Sequence, residues 1–211
     1  MIASRVSSSP TACRAAGLLL VATLGAGMLT GCAPLLIGGA MVGGTMIALD
    51  RRTSGAQVED QAIEIKAMAR VRELALPAHV NVTSYNRMTL ITGEVPREAD
   101  RAAVEQLVSR VDQVRSVVNE LAVMEPSTVG SRTQDSILSG KVKAAFVDAQ
   151  DLQAQAAKVV TERSVVYLLG RVTEREAKRF ADVARSVDGV KKVVRVFEIV
   201  TEAELAQIQP K

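Results

Sequence analysis

One cysteine near the amino terminus stands where its thiol could be modified covalently. Cys32 follows Leu29, Thr30 and Gly31, a large aliphatic residue and then two small ones. Small side chains leave room for a peptidase beside the bond that precedes Cys32. The thiol itself can carry a diacylglyceryl group. The residue types at positions 29–32 therefore suit cleavage before Cys32 and modification of its thiol.

The residues before Cys32 are typical of an export signal. Arg5 and Arg14 flank a polar start, and the apolar run 15–29 contains no acidic residue. The order of the four residues that end at Cys32 resembles the lipobox of bacterial lipoproteins, so residues 1–31 are interpreted as a lipoprotein signal peptide. Two alternatives stay open. One is an ordinary signal peptide cleaved elsewhere, and the other is an uncleaved membrane helix, for which the run is shorter than the usual ~20 residues.

The lipobox resemblance implies that Cys32 becomes the new amino terminus and carries a diacylglycerol and an N-linked acyl chain. Two or more chains anchor a protein stably, whereas one holds it reversibly. By resemblance to enterobacterial lipoproteins, an aspartate after the cysteine favours the inner membrane, so Ala33 favours the outer membrane, with the chain facing the periplasm. Cys13 lies in the expected leader. No thiol would be left for a disulfide or a metal, and no other cofactor is expected.

The rest of the chain offers no arrangement for catalysis. His79, the single histidine, is expected in a solvated loop, where a metal site or a nucleophile relay would lack partners. Glu59 and Asp60 lie near the start of a predicted helix, where negative charge complements the helix dipole. Gly93 and Gly170 end strands and do not continue into a phosphate-binding loop. We interpret the chain as a binding protein rather than an enzyme, with no small-molecule substrate.

Charge is distributed unevenly along the chain. Residues 57–126 contain 8 basic and 11 acidic residues, whereas residues 133–200 contain 12 basic and 9 acidic ones. A basic domain near anionic phospholipid gains roughly 1 kcal/mol for each cation at the membrane surface. A merely solvated surface is the alternative. Nucleic acid is a poor fit as a partner, because the chain is expected to be exported and its basic residues are not interleaved with aromatic ones.

One predicted helix, 134–147, carries most of the residues that we expect to meet lipid. Leu138 belongs to an apolar stripe at helical spacing, and Ile137 points about 100° away from it, so Ile137 should be exposed. An exposed apolar residue among cations suits shallow insertion between headgroups. Plain exposure and a contact between domains are the alternatives for Ile137. The predicted lipid-binding residues are Ile137, Lys141, Arg132 and Lys143.

An internal repeat predicts the elements that position these residues. Gly93 and Gly170 end matching strand sequences 77 residues apart, and residues 111–118 match residues 187–194 at an offset of 76. Each unit predicts a helix, two strands, a helix and a strand, which is an α+β sandwich of order αββαβ. The predicted elements are 58–74, 80–85, 88–93, 96–111 and 115–123, then 134–147, 156–162, 165–170, 173–187 and 192–200.

Local signals predict caps, turns and domain limits. Pro96 suits the first turn of a helix, and Thr173 with Glu176 has capping-box spacing. Gln113 stands where the second unit has Gly189, so the two turns are expected to differ. Each unit is small for a single core, so the two should pack together. The predicted segments are a lipidated apolar, glycine-rich spacer at 32–56, domains at 57–125 and 133–200, a linker at 126–132 and a tail at 201–211.

The repeated pattern resembles a known family. A strand, Gly-x-Val and a helix precede Val-Asp-Gly-Val-x-x-Val-x-x-x-Phe over residues 187–197, and this order is similar to the BON domain across about residues 57 to 200. Two such domains behind a lipobox resemble dual BON-domain outer-membrane lipoproteins. The resemblance implies support of outer-membrane integrity, binding of anionic phospholipid mainly by the second domain, and links to division sites and outer-membrane assembly.

Two functions are therefore expected. The first is an anchored protein whose second domain binds an anionic phospholipid membrane. The alternative is a periplasmic adaptor for outer-membrane assembly, peptidoglycan or division proteins, in which the acidic first domain makes the contact.

Overall fold

The computed structural model describes residues 50–208, and these form two copies of one αββαβ unit. The expected leader, Cys32 and the spacer up to residue 49 lie outside the described residues. The predicted α+β class and element order are confirmed. The first domain contains α1 (Ser54–Glu73), β1 (His79–Tyr85), β2 (Met88–Val95), α2 (Glu98–Ser109) and β3 (Ser116–Val123). The second contains α3 (Val129–Asp148), β4 (Ala157–Glu162), β5 (Val165–Val172), α4 (Glu174–Ser186) and β6 (Lys192–Ile199), and α5 (Glu202–Ile208) follows.

Each domain has a three-stranded sheet with its second strand in the centre. β1 pairs antiparallel with β2, and β2 pairs parallel with β3; β4, β5 and β6 repeat this order. The antiparallel pairs are joined by two-residue turns, Asn86-Arg87 and Arg163-Ser164, in which all four residues have positive φ. Such turns match the twist of a hairpin. The parallel pairs need a crossover, which α2 and α4 supply.

A buried aspartate in the first helix of each domain holds the hairpin turn. The carboxylate of Asp60 accepts hydrogen bonds from the backbone N–H groups of Asn86 and Arg87 at 2.7 and 2.8 Å. Asp135 accepts from Arg163 and Ser164 at 2.9 and 2.8 Å. These bonds satisfy donors that a tight turn leaves unpaired. Asp60 therefore stabilises the hairpin turn. Its interpretation as a charge that complements the helix dipole did not predict this role.

The turn before the last strand is the same in both domains. Gln113 and Gly189 have φ of 70° and 97°, and the following backbones bond alike: Arg115 donates to the carbonyl of Arg87 and Lys191 to that of Ser164. The expectation that Gln113 changes this turn is wrong. A non-glycine residue tolerates the left-handed region at a modest cost, which the surrounding hydrogen bonds offset.

The helices of each domain cover one face of its sheet, and the other faces of the two sheets pack together. Buried side chains between helices and sheet include Phe146 and Phe180, whose rings meet edge to face at 4.9 Å. Between the sheets lies a separate cluster of buried residues from both domains: Tyr85, Leu90, Tyr167, Leu169 and Val196. The predicted packing of the two domains is confirmed. Burial of this shared surface supplements two small cores.

The ends of the helices differ from their predicted positions. The first helix starts at Ser54 with Thr53 as its cap, and α3 starts at Val129 with Thr128 as its cap. Each threonine hydroxyl accepts a backbone N–H three residues later, so glycine and serine residues interpreted as linker form the first turn instead. Pro96 precedes the cap Arg97 rather than entering the helix. The capping box of Thr173 and Glu176 is confirmed.

Two further observations concern the ends of the described chain. The predicted tail contains α5, and its Leu205 is buried. Within residues 50–208, every helix falls short of the length and apolar character needed to cross a membrane.

Candidate functional site

The amino-terminal half of α3 places two of the predicted lipid-binding residues side by side. Ile137 is 50% exposed, as predicted, and Leu138 is buried beneath it. Lys141 is also exposed and lies four residues after Ile137, one helical turn away on the same side. An apolar side chain and a cation therefore project together from this part of the second domain.

The other two predicted residues lie on a different side of α3. Arg132 and Lys143 are five residues before and six residues after Ile137, which places both more than about 100° around the helix from it. The Nη1 atom of Arg132 is 2.9 Å from Nδ1 of His79, so this cation contacts the first domain. Lys143 is exposed. The four predicted residues thus do not form one cluster, and only Ile137 and Lys141 lie together.

A shallow cavity of about 170 Å³ opens beside Ile137 and Lys141. Three segments that are distant in sequence line it: α3, the β4–β5 turn and the α4–β6 turn. Sequence reasoning missed the two turns, because no local pattern indicates that they adjoin the first helix. The lining residues are Gln134, Asp135, Ile137, Leu138, Lys141, Ser164, Asp188 and Gly189.

One more lysine lies next to this cavity. Lys191 and Lys192 both follow Gly189 and are exposed, but Lys192 shares a face of β6 with Val194 and Val196, which pack between the sheets and not against α3. The backbone N–H of Lys191 donates to the carbonyl of Ser164, a lining residue, at 2.9 Å. This bond fixes the start of β6 against the hairpin turn. The cationic surface near Ile137 therefore includes Lys191, which the sequence-based prediction left out.

His79 lies between the domains and not in a solvated loop, so that prediction is wrong. Its side chain is 18% exposed, and its Nε2 atom is 3.8 Å from Oε2 of Glu162 in the second domain. Burial, and then the charge of Arg132, lower the pKa of His79. Burial raises the pKa of Glu162, and the neighbouring Glu94 carboxylate raises it further. The histidine therefore belongs to a contact between domains.

Glu94 forms the buried part of the same contact. It is fully buried, and it accepts hydrogen bonds from the guanidinium of Arg163 at 3.1 Å and the backbone N–H of Ser127 at 3.1 Å. Burial alone would raise the pKa of Glu94, but these hydrogen bonds lower it overall. Within residues 50–208, no three side chains of histidine, cysteine, aspartate or glutamate are placed to hold a metal ion. The contacts of His79 and Glu94 with Glu162 and Arg163 therefore join the two domains.

The segment before α1 is also bound to the second domain. Arg51 is 3% exposed, and its guanidinium donates to both carboxylate oxygens of Glu176 at 2.7 and 2.8 Å. The same group donates to the carbonyl of Arg171 at 2.9 Å and to the side chain of Gln153. Because Arg51 is buried and bonded to the second domain, the folded part begins before residue 57, the predicted start of the first domain.

Sequence comparisons identify relatives over most of the chain. The sequence profile of the BON domain matches residues 59–125 and 134–201. Outer membrane lipoprotein DolP of Haemophilus influenzae is 36% identical over 185 residues, which cover 86% of this chain and 93% of that protein. A 21 kDa hemolysin of Actinobacillus pleuropneumoniae is 30% identical over 155 residues, which cover 72% of this chain and 80% of that protein.

Similarity to solved structures is weaker. CdsD, a structural protein of the type III secretion system of Chlamydia trachomatis, is 12% identical, and the match covers 68% of this chain and 96% of that one. Its TM-score of 0.29 is too low to support an argument about fold or function.

Proposed function

This chain belongs to the BON domain family, and we propose that it is an outer-membrane-anchored periplasmic lipoprotein whose second domain binds anionic phospholipid and thereby supports outer-membrane integrity. The Haemophilus influenzae relative, which matches along 93% of its length, is named an outer membrane lipoprotein. The lipobox-like order that ends at Cys32 supports the same anchor in this chain. The proposed role is binding, without catalysis.

Lipid attachment is proposed at Cys32 alone. A diacylglycerol and an N-linked acyl chain there give the two or more chains that stable anchoring needs. Incorporation of an alkyne-labelled fatty acid in a bacterial host tests this proposal. Label is expected on the wild-type chain and not on Cys32→Ser, whereas label that persists on Cys32→Ser would contradict it.

The exposed Ile137 beside Lys141 is the observation on which the lipid-binding proposal rests. A half-exposed isoleucine can enter the headgroup region without first leaving a core, and a lysine one turn away can contact the phosphates. Lys191 adds positive charge at the start of β6. Each cation near an anionic surface is worth roughly 1 kcal/mol, so several together give binding that salt weakens.

Vesicle co-sedimentation of the chain from Asp50 onward tests binding without the anchor. We expect binding to anionic and not to zwitterionic vesicles, and weaker binding at higher salt. Ile137→Ala and Lys141→Glu should each reduce affinity about 5- to 30-fold, since each removes roughly 1–2 kcal/mol.

Matched controls lie elsewhere on the same helix, Lys143 about 120° around it from Ile137 and Val147 ten residues farther along. Val147→Ala removes an apolar residue that is 67% exposed, and Lys143→Glu makes the same charge change as Lys141→Glu. Both should change affinity less than the paired variants. Equal losses at Lys143 and Lys141 would show that only net charge matters, and absence of binding by the wild-type chain would contradict the proposed lipid function.

A protein-binding adaptor is the second candidate, and one feature of α1 favours it. Val58 and Ile65 are 70% and 65% exposed on the side of α1 that faces away from the core residues Ile63 and Ala67. A helix with apolar residues on both sides has an unpaired surface. A photo-crosslinker at position 65 in intact envelopes should then capture one discrete protein, and labelling by lipid alone would count against this role.

A further inference from the structure

We propose that the cavity beside Ile137 is a pocket for the phosphodiester of a single lipid, and that ion pairs close the matching place in the first domain. This inference rests on the proposed lipid function and deepens it. It distinguishes one built site from a diffuse basic surface.

The two domains can be matched residue by residue around this place. Asp60 and Asp135 hold equivalent turns through equivalent hydrogen bonds. Their positions set the correspondence along the two helices. Accordingly Glu59 matches Gln134, Ala62 matches Ile137 and Lys66 matches Lys141; in the turns, Arg87 matches Ser164, Asp112 matches Asp188 and Arg115 matches Lys191.

In the first domain, ion pairs lie across the matching place. The guanidinium of Arg87 reaches Glu59 with contacts of 2.6 and 2.7 Å, so the hairpin turn is tied to α1. The ammonium of Lys66 lies 3.7 Å from the carboxylate of Asp112, so α1 is also tied to the α2–β3 turn. Side chains of opposite charge therefore bridge the three segments whose counterparts line the cavity in the second domain.

In the second domain, the counterpart of the Glu59–Arg87 pair is missing, and Lys141 and Asp188, which match Lys66 and Asp112, both line the cavity without forming an ion pair with each other. Gln134 and Ser164 replace the Glu59–Arg87 pair with two neutral side chains, and the space between them is part of the cavity. Among the described residues, Lys141 takes part in no ion pair. The exposed Ile137 stands where the first domain has Ala62.

Lys191 shows the same difference between the domains. Its counterpart Arg115 lies 3.4 Å from Glu198 of the other sheet. Ala122 of the first domain occupies the strand position that Glu198 occupies in the second. Lys191 therefore has no carboxylate in the first domain that would correspond to the partner of Arg115. Lys191 and Lys141 therefore stand beside the cavity with their charges available.

The lining favours a phosphodiester over free phosphate. Lysine ammonium groups and the Ser164 hydroxyl donate hydrogen bonds to phosphate oxygens. The carboxylate of Asp135 is engaged by the turn, but that of Asp188 also lines the cavity and opposes negative charge. A diester carries one negative charge, whereas inorganic phosphate carries up to two near neutral pH. Ile137 beside the cavity suits the acyl chains of the same lipid.

A double variant that copies the first domain tests the pocket. Gln134→Glu with Ser164→Arg recreates the Glu59–Arg87 pair and leaves the net charge unchanged. We expect affinity for anionic vesicles to fall at least 10-fold. The control Gln106→Glu with Ser109→Arg makes the same changes on the exposed side of α2 and should bind like the wild-type chain.

The outcomes separate the pocket from the proposed function. If the double variant binds like the wild type while Ile137→Ala and Lys141→Glu bind weakly, lipid binding stands and the pocket is wrong. If the wild-type chain does not bind anionic vesicles, both proposals fail. Loss of binding in the double variant alone, with the α2 control unaffected, supports the pocket.

A second measurement needs no variant. Backbone amide shifts of the wild-type chain are followed during titration with a short-chain anionic phospholipid below its micelle concentration, and separately with inorganic phosphate. The amides of Ser164, Gly189 and Lys191 should shift with the lipid, while those of Arg87 and Gln113 in the first domain stay in place. Equal shifts with inorganic phosphate, or shifts in both domains, would overturn the assignment to a lipid phosphodiester.

Discussion

Single buried side chains hold together segments that are far apart in sequence. Asp135 is 5% exposed and fixes the turn on which Ser164 lies, so it shapes the proposed pocket without contacting lipid. Arg51 likewise joins the start of the described chain to Glu176. Both residues act through charge-assisted hydrogen bonds, which are stronger than neutral ones.

Replacement of Asp135 should destabilise the protein. Asp135→Asn has one acceptor oxygen where the native residue has two, so one turn N–H loses its partner; we expect a loss of about 1–3 kcal/mol in the free energy of unfolding. Urea unfolding measures it. Asp182→Asn, which affects only an exposed pair with Arg185, is the matched control and should have little effect. Equal effects of the two substitutions would refute the role of the turn.

The Arg51–Glu176 pair should make stability depend on pH. Burial acts to raise the pKa of Glu176, but hydrogen bonds from Arg51 and Thr173 lower it overall from its ordinary 4.5. A carboxyl with a lowered pKa stabilises the fold above pH 4.5, and the contribution is lost as the pH falls through its folded-state pKa. Arg51→Ala should therefore cost about 2–4 kcal/mol at pH 7 and less below pH 4.5.

Urea titrations at pH 7 and pH 3.5 measure this difference. Arg185→Ala serves as the control, because Arg185 forms an exposed pair with Asp182 and does not contribute to the pKa of Glu176. A cost for Arg51→Ala that stays constant between the two pH values would show that packing, and not the ion pair, accounts for its effect.

At the scale of helices and strands, glycine has opposite roles in two places. A Cβ atom on Gly170 would lie 2.2 Å from the carbonyl oxygen of Ala156, the residue immediately before the neighbouring strand β4. On Gly140, in the exposed middle of α3, it would meet nothing within 4 Å. The first glycine lets two backbones approach closely, whereas the second only weakens a helix.

Alanine at these two positions should shift stability in opposite directions. Gly140→Ala should stabilise the protein by about 0.5–1 kcal/mol, because alanine favours the helix. Gly170→Ala should destabilise it by at least about 1–3 kcal/mol, because the strands must separate. Thermal unfolding of the two variants measures both signs. A neutral Gly170→Ala would mean that the strand pair relaxes without loss of packing.

Element order and type could be predicted from the sequence because each depends on a local pattern. Alternating apolar residues, helical stripes and the 77-residue repeat indicate strands and helices regardless of their surroundings. The start of α3 could not be predicted in this way, since Thr128 caps the helix through a hydroxyl contact, while Gly130 and Ser131 favour a turn by composition. The exposure of Ile137 could be predicted from its angle to Leu138.

The candidate site could be predicted only in part, because it depends on contacts between distant segments. Lys191 joins it through a backbone hydrogen bond to Ser164. Arg132 was grouped with Ile137 by closeness in sequence, yet it turns toward His79. His79 itself looked like a loop residue, because nothing in the sequence indicates that Glu162 faces it from the other domain.

At the scale of the whole molecule, the shared apolar cluster links the two domains. Tyr167 and Leu169 on β5 and Leu90 on β2 are each no more than 1% exposed, although they lie outside both helix-covered cores. Burial of this kind contributes roughly 1.5–3 kcal/mol per large side chain. Because residues of both domains form the cluster, this contribution to the free energy of unfolding is lost when either domain unfolds.

The two domains should therefore unfold together. Leu169→Ala should cost about 2–5 kcal/mol and lower protection from hydrogen exchange in both domains, including β2. Val147→Ala, on the exposed side of α3, should leave protection unchanged. Loss of protection confined to the second domain would show that the domains are stabilised independently.

The bonds of Arg51 also determine how the protein bears a load. Arg51 is held by Glu176 and by the carbonyl of Arg171, whereas the next residue, Arg52, is paired with Asp60 of the first domain. Tension on the chain before residue 50 is thus divided between both domains. The part of this tension that Arg51 transmits acts on β5 at Arg171. At 3.3 Å per residue, Arg171 is about 23 Å along the strand from Ser164. Pulling on the chain therefore strains the end of the second domain that lies away from the cavity.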